Sequence, residues 1–267
     1  MAFIDRYRQQ IRENVPVVYN GLEFHPLTVR DYGAYSAGKQ PYELMLSSLK
    51  NPRFARLSWC ACLWELDKEC EKQTGELGDF LMTALYIMAL ALRLDADRDG
   101  NYPLRPVFSQ EGQVNAVAVV NSQVDYTLFN MVQMNDVRQI IAEQNCYDIP
   151  NENWNPELVK AAQDNAARGS IDLDFDMEDL VYSVAVQAGC RAKDVYDWTI
   201  REFIKTQDAI ERKLGYMICS LAEAQGAKYE RGNPHPTWKF NRKSDMPAGF
   251  RTISDIDAGA KGLIAGT

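Results

Sequence analysis

A chain of 267 residues, 46% apolar and 25% charged, carries enough apolar material to bury a sizeable core, as one large domain or two small ones. Its formal charge of −8 argues against nucleic acid as a general partner, because phosphate binding needs cationic side chains to replace the released counterions. The most apolar run, 80–94, is too short to span a bilayer, and the start of the chain alternates charged and apolar residues without the apolar stretch of a secretion signal.

Phe3, Ile4, Tyr7 and Ile11 recur on one helical face and predict a first helix over 3–13. Apolar residues at 15–18 and 22–24 flank Asn20-Gly21, a pair that tolerates the positive φ of a type I′ turn, so a β-hairpin is expected. Thr28 with Asp31 three residues on, and Leu27 and Tyr32 around them, marks a helix start; that helix should end near Gly38, and a short one should follow over 42–49. Asn51-Pro52 offers an N-cap and a first-turn proline for a longer helix that Gly75 and Gly78 should stop. The 80–94 segment is apolar nearly all round and predicts a central helix.

Past Leu94 the texture becomes polar. Residues 95–103 read as a turn-rich loop, and two apolar runs flanking Glu111-Gly112 predict a second hairpin. Helices are expected over 135–145 with Asn135 as cap, over 156–168, and from an Asp176 cap to Ala188. A long helix follows, with Thr199 and Glu202 as a capping box, Trp198 and Phe203 as a hydrophobic staple, Asp208–Arg212 as an i,i+4 ion pair and Gly226 as the stop. Ile200, Phe203, Ile204, Ile210, Leu214, Met217, Ile218 and Leu221 form a stripe along it, expected to face a bundle core.

These elements predict a mainly α (α+β) fold, a helical bundle with two small β-hairpins. Residues 1–94 would form an N-terminal hairpin and helical lobe, 95–122 a loop-and-hairpin seam, 123–243 a C-terminal helical lobe, and 244–267 a flexible tail.

Catalytic signatures are missing from this pattern. Asp95-x-Asp97-x-Asp99-Gly100 matches the first half of a calcium-binding EF-hand loop, but Pro106 stands where the bidentate glutamate belongs, so the loop reads as solvated. A second acidic group, Asp172, Asp174, Asp176, Glu178 and Asp179, precedes a helix and suits its dipole. The six cysteines include no CxxC, and Cys60 and Cys62 diverge on a helix, so all read as reduced and mostly buried. His25 and His235 lie beside prolines without a ligand or nucleophile at working distance in sequence. No enzyme activity, metal or cofactor is therefore expected.

The segment after the long helix is more suggestive. Pro234 and Pro236 favour an extended run that presents Trp238 and Phe240 at low entropic cost. Those four residues either fold back on the chain's own helices or form a strap that docks on a partner. From 228 to 251 the chain carries +4, which leaves the remainder near −12.

Three pieces, FHPLTVRDY (24–32), DVYDWTIREF (194–203) and PHPTWKFNRKSDMPAGF (234–250), resemble proteins from the tail modules of prophages in Gram-positive bacteria, of the tail-assembly chaperone type. The resemblance implies a mostly helical protein acting in the host cytoplasm on the phage tape-measure protein, or another tail protein, before the tail tube polymerises. It implies no nucleic-acid or membrane partner and leaves a homo-oligomer open. The alternative is a structural virion protein of the tail or head–tail connector.

Overall fold

A computed structural model of the chain describes residues 3–46, 49, 53–120, 125–150, 157, 176–229, 233, 235 and 237–239. The fold is mainly α with two small antiparallel sheets, the class its hydrophobic periods predict. The first helical stretch is split into a 3-10 turn, Phe3–Arg6, and α1 (Arg8–Arg12). β1 (Val17–Tyr19) pairs with β2 (Leu22–Phe24), and Asn20 and Gly21 adopt φ of 51° and 79°, as a type I′ turn requires.

At the next helix start, the Thr28 N–H and hydroxyl donate to the same Asp31 carboxylate oxygen at 3.0 and 2.9 Å. A 3-10 turn leads directly into α2 (Tyr32–Tyr42), which runs through Gly38 instead of stopping there, and 43–45 are not helical. Gly38 serves packing: a Cβ there would collide with the Tyr147 hydroxyl and stand 2.9 Å from Ile87. The Asn51-Pro52 start lies outside the described residues; α3 (Trp59–Thr74) begins after Ser58 and ends at Gly75, whose φ is 82°.

α4 (Phe80–Ala91) takes its cap from α3. The buried Asp67 carboxylate accepts the Phe80 and Leu81 N–H groups at 2.8 and 3.0 Å, satisfying two of the orphan donors at the start of an apolar helix. The expected second hairpin is a three-stranded meander, β3 (Leu104–Phe108), β4 (Val114–Val120) and β5 (Tyr126–Asn130), in that order. α5 (Met131–Asn145) starts four residues earlier than expected because Asn130 is the cap and not Asn135. Asn130 Oδ1 accepts the Val132 and Gln133 N–H groups at 3.0 Å each, and Gln133 returns the bond to the Asn130 N–H at 2.9 Å.

One core draws on β1, β2, α2 to α5 and the meander; Leu104, Val114, Val117 and Val119, from the segment expected to be a seam, are buried within it. Its centre is an aromatic column in which Tyr147 stacks on Tyr35 and Tyr42 at 4.8 and 5.0 Å, and Tyr42 meets Trp59 at 5.0 Å. Buried Arg138 lies over the Trp59 ring and donates to the Tyr42 carbonyl through Nε (3.0 Å) and Nη2 (2.7 Å). Trp59 donates to the Pro41 carbonyl at 2.8 Å, so two core side chains take up the open carbonyls at the end of α2.

The C-terminal part contains α6 (Met177–Ala188), α7 (Ala192–Val195) and α8 (Ile200–Ala224). Asp176 caps α6 through the Glu178 N–H, and Gly189 closes it at a φ of 71°. Val29, Val181, Val184, Ala185, Val195 and Phe203 make a second, smaller core. The helix expected over 156–168 and the tail over 244–267 lie outside the described residues.

Candidate protein-interaction surface

Two of the quoted sequence pieces meet. The loop after β2 and the start of α8 join through an antiparallel bridge between Thr28 and Thr199. The Ile200 N–H donates to the Leu27 carbonyl at 2.8 Å, and the Val29 N–H to the Trp198 carbonyl at 2.9 Å. Arg30 adds Nε and Nη2 bonds to Asp197 Oδ1 at 2.9 and 2.7 Å, and Asn145 Oδ1 accepts the Leu27 N–H at 2.8 Å. Thr199 Oγ1 caps α8 by accepting the Glu202 N–H at 3.1 Å, and Trp198 packs beside Phe203 in the smaller core. The base of α8 is therefore held by backbone bonds, a cap and two buried side chains, Ile200 and Phe203.

The far half of α8 is different. Its apolar stripe is present as the spacing predicts, but the expectation that all of it faces a core is wrong beyond Ile210. Leu214, Met217, Ile218 and Leu221 are exposed, Ile218 at 68% and Leu221 at 61%. The physical reason is length: α6 has 12 residues and α8 has 25, so α8 extends past the helix it packs on. Asp208 also departs from expectation, lying 3.8 Å from Lys205.

α6 completes this surface. Tyr182 and Val186, one turn apart, are exposed, Val186 at 76%, while Val181, Val184 and Ala185 on the other side are buried. Between the helices lies a groove of about 480 Å³, lined by Leu180, Tyr182, Val186, Ile210 and Leu214, with Ser183, Gln187, Gln207 and Glu211 among its polar edges. The sequence reading missed Tyr182 and Val186. The signal was there, in apolar residues on two faces of one short helix.

Of the four strap residues, Trp238 is 45% exposed, and Pro234, Pro236 and Phe240 lie outside the described residues. His235 folds back: its ring sits where a Cβ on Gly215 would come within 3.1 Å. A hydrogen bond with Cys219, on the same flank of α8, raises the Tyr229 hydroxyl pKa above the ordinary tyrosine value. Tyr229 and His235 thus lie against the Gly215–Cys219 flank, beside the exposed stripe.

The acidic loop carries other chemistry. Asp97 Oδ1 accepts the Asn101 and Asp99 N–H groups at 2.8 and 2.9 Å, and these bonds, Asn101 first, hold its pKa below the usual carboxylate range. Among the described residues no group of three His, Cys, Asp or Glu side chains could hold a metal. A cavity of about 920 Å³ opens between this loop, α4 and β3, bordered by the Tyr86–Tyr102 ring pair and Arg105. All six cysteines are free, and burial pushes the Cys60 thiol up to about 12. Among the described residues no helix is long and apolar enough to cross a membrane. Comparison with protein-family models, curated proteins and solved structures finds no match for this chain.

Proposed function

We propose that this protein is a phage tail-assembly chaperone, a non-catalytic binder that shields a helical segment of the tape-measure protein in the host cytoplasm during tail morphogenesis. The observation that carries the proposal is the exposed apolar surface formed by Leu214, Met217, Ile218 and Leu221 of α8 with Tyr182 and Val186 of α6. Contiguous apolar surface of this kind is characteristic of interaction sites, because leaving it in water is unfavourable. Each such side chain, once fully buried, contributes about 1.5–3 kcal/mol, so a few of them suffice for a reversible complex after the costs of association. The firmly tied base of α8 supports the reading too, since a helix held at one end presents its other half without ordering cost.

Two measurements test it. Co-expression with a phage tape-measure protein should raise the soluble yield of that client; equal insolubility with and without this protein removes the chaperone reading. Mass spectrometry of purified particles should find the protein absent. Its presence there in many copies would establish the structural virion component instead.

A further inference from the structure

We infer that the groove between α6 and α8 takes a three-turn amphipathic α-helix with one basic edge. This inference rests on the reading of that groove as the client site and specifies the chemistry of what enters it.

The occupant is helical because of what the groove offers. All its lining residues sit on two helices, whose backbone N–H and C=O groups are bonded internally. An extended strand would find no sheet edge to join there, whereas a helix brings its own backbone bonds already made and adds only side chains. From Ile210 to Leu221 the stripe rises about 16 Å at the helical repeat, the length of three turns, which matches apolar residues at i, i+3 or i+4, i+7 and i+11 of a partner.

The sign of the edge follows from the rim. Glu211 is the charged residue in the lining, and it shares a face of α8 with Gln207, Leu214 and Ile218. Exposed Glu178 stands one turn before Tyr182 on α6, on the opposite wall and outside the groove lining, and adds to the negative field at that end. Lys213 projects from another side of α8, about 200° around the helix from Glu211. A helix lying in the groove therefore meets the Glu211 carboxylate on the α8 side, and Lys or Arg on that edge would steer and orient it. A second copy of this chain is a poorer occupant, because the groove lining holds no Lys or Arg to set against Glu211 of the other copy.

The test uses the full chain and labelled synthetic helices of about 18 residues, read by fluorescence anisotropy at low and moderate salt. One peptide has a leucine stripe with a lysine edge, a second the same stripe with a glutamate edge, and a third the composition of the first in scrambled order. The lysine-edged helix should bind saturably and about tenfold tighter than either of the others. Glu178→Lys with Glu211→Lys should reverse the order of the two edged peptides, and Ile218→Glu should abolish binding by both while leaving the melting temperature unchanged. The inference is overturned if the scrambled peptide binds as well, or if charge reversal leaves the order unchanged. Displacement of the lysine-edged helix by a peptide of residues 228–251 would make the chain's own basic segment the occupant and overturn it as well. So would a dimer in sedimentation that Ile218→Glu dissociates. Failure here with client solubilisation still dependent on Ile218 would reject the helix chemistry alone. Success here without any effect on the tape-measure protein would reject the phage reading and keep the groove.

Discussion

The Ile200 N–H donates to the Leu27 carbonyl at 2.8 Å, tying the first turn of the longest helix to the loop that leaves the first hairpin. The bond sits between two buried side chains, Leu27 and Ile200, and beside the Leu27 N–H bond to Asn145. Everything exposed on α8 projects from this fixed point, so the cap next to it matters. Thr199→Ala removes the acceptor for the Glu202 N–H and should cost about 1 kcal/mol, seen as a lower urea midpoint with an unchanged slope. Thr199→Ser should retain most of that stability.

The two halves of α8 should respond oppositely to truncation. Phe203 is buried in the smaller core, and Phe203→Ala should destabilise the fold by about 3–5 kcal/mol. Ile218→Ala should stay within about 0.5 kcal/mol in the same denaturation assay, because that side chain is already in water.

Gly215→Ala separates helix propensity from the segment folded back on it. In a helix interior the change alone favours the helix by about 0.5–1 kcal/mol. The new Cβ, however, would stand 3.1 Å from the His235 ring, which must give by a few tenths of an ångström. The expected result is a melting temperature no lower than that of the parent chain, with faster trypsin cleavage after Lys228 and Lys239. Unchanged cleavage would mean that His235 does not hold the segment in solution.

His25 gives a pH dependence with a definite sign. Burial first, then the Arg93 charge, lowers its pKa from the ordinary histidine value, against a smaller opposing pull from Glu23. The unfolded chain therefore takes up a proton before the folded one does. Stability should fall as pH drops below the unfolded value and level off once the folded value is passed. Asp67 and Glu43, both raised chiefly by burial, act in the opposite sense, since the folded state protonates first as pH falls. Melting temperatures from pH 7.5 to 5 should thus slope less in His25→Gln than in the parent chain.

Much of the architecture was legible in local sequence because local bonds determine it. Asn20-Gly21, Thr28 with Asp31, Asp176 and Thr199 all act where their residue types place them, although the Thr199 cap lacks the return bond from Glu202 that a full capping box would have. Errors arose where a distant residue decides. Gly38 reads as a helix stop until Tyr147 and Ile87 are known to press on it. Asp67 looks like a surface acid of α3 and is the cap of α4. Asn135 reads as the cap from sequence, whereas Asn130 takes the role, accepting the Val132 and Gln133 N–H groups while Gln133 returns a bond to it. The candidate surface was half legible. Periodicity finds the stripe on α8, but whether a stripe is covered depends on the length of its neighbour, which no pattern within α8 encodes.

The most direct measurement is the soluble fraction of the tape-measure protein co-expressed with the parent chain, with Ile218→Glu and with neither. The account predicts that the parent chain raises it several-fold and that Ile218→Glu fails to, although the variant itself is as soluble and as thermally stable as the parent. A client equally soluble with the variant and with the parent chain, or equally insoluble in all three, would contradict it.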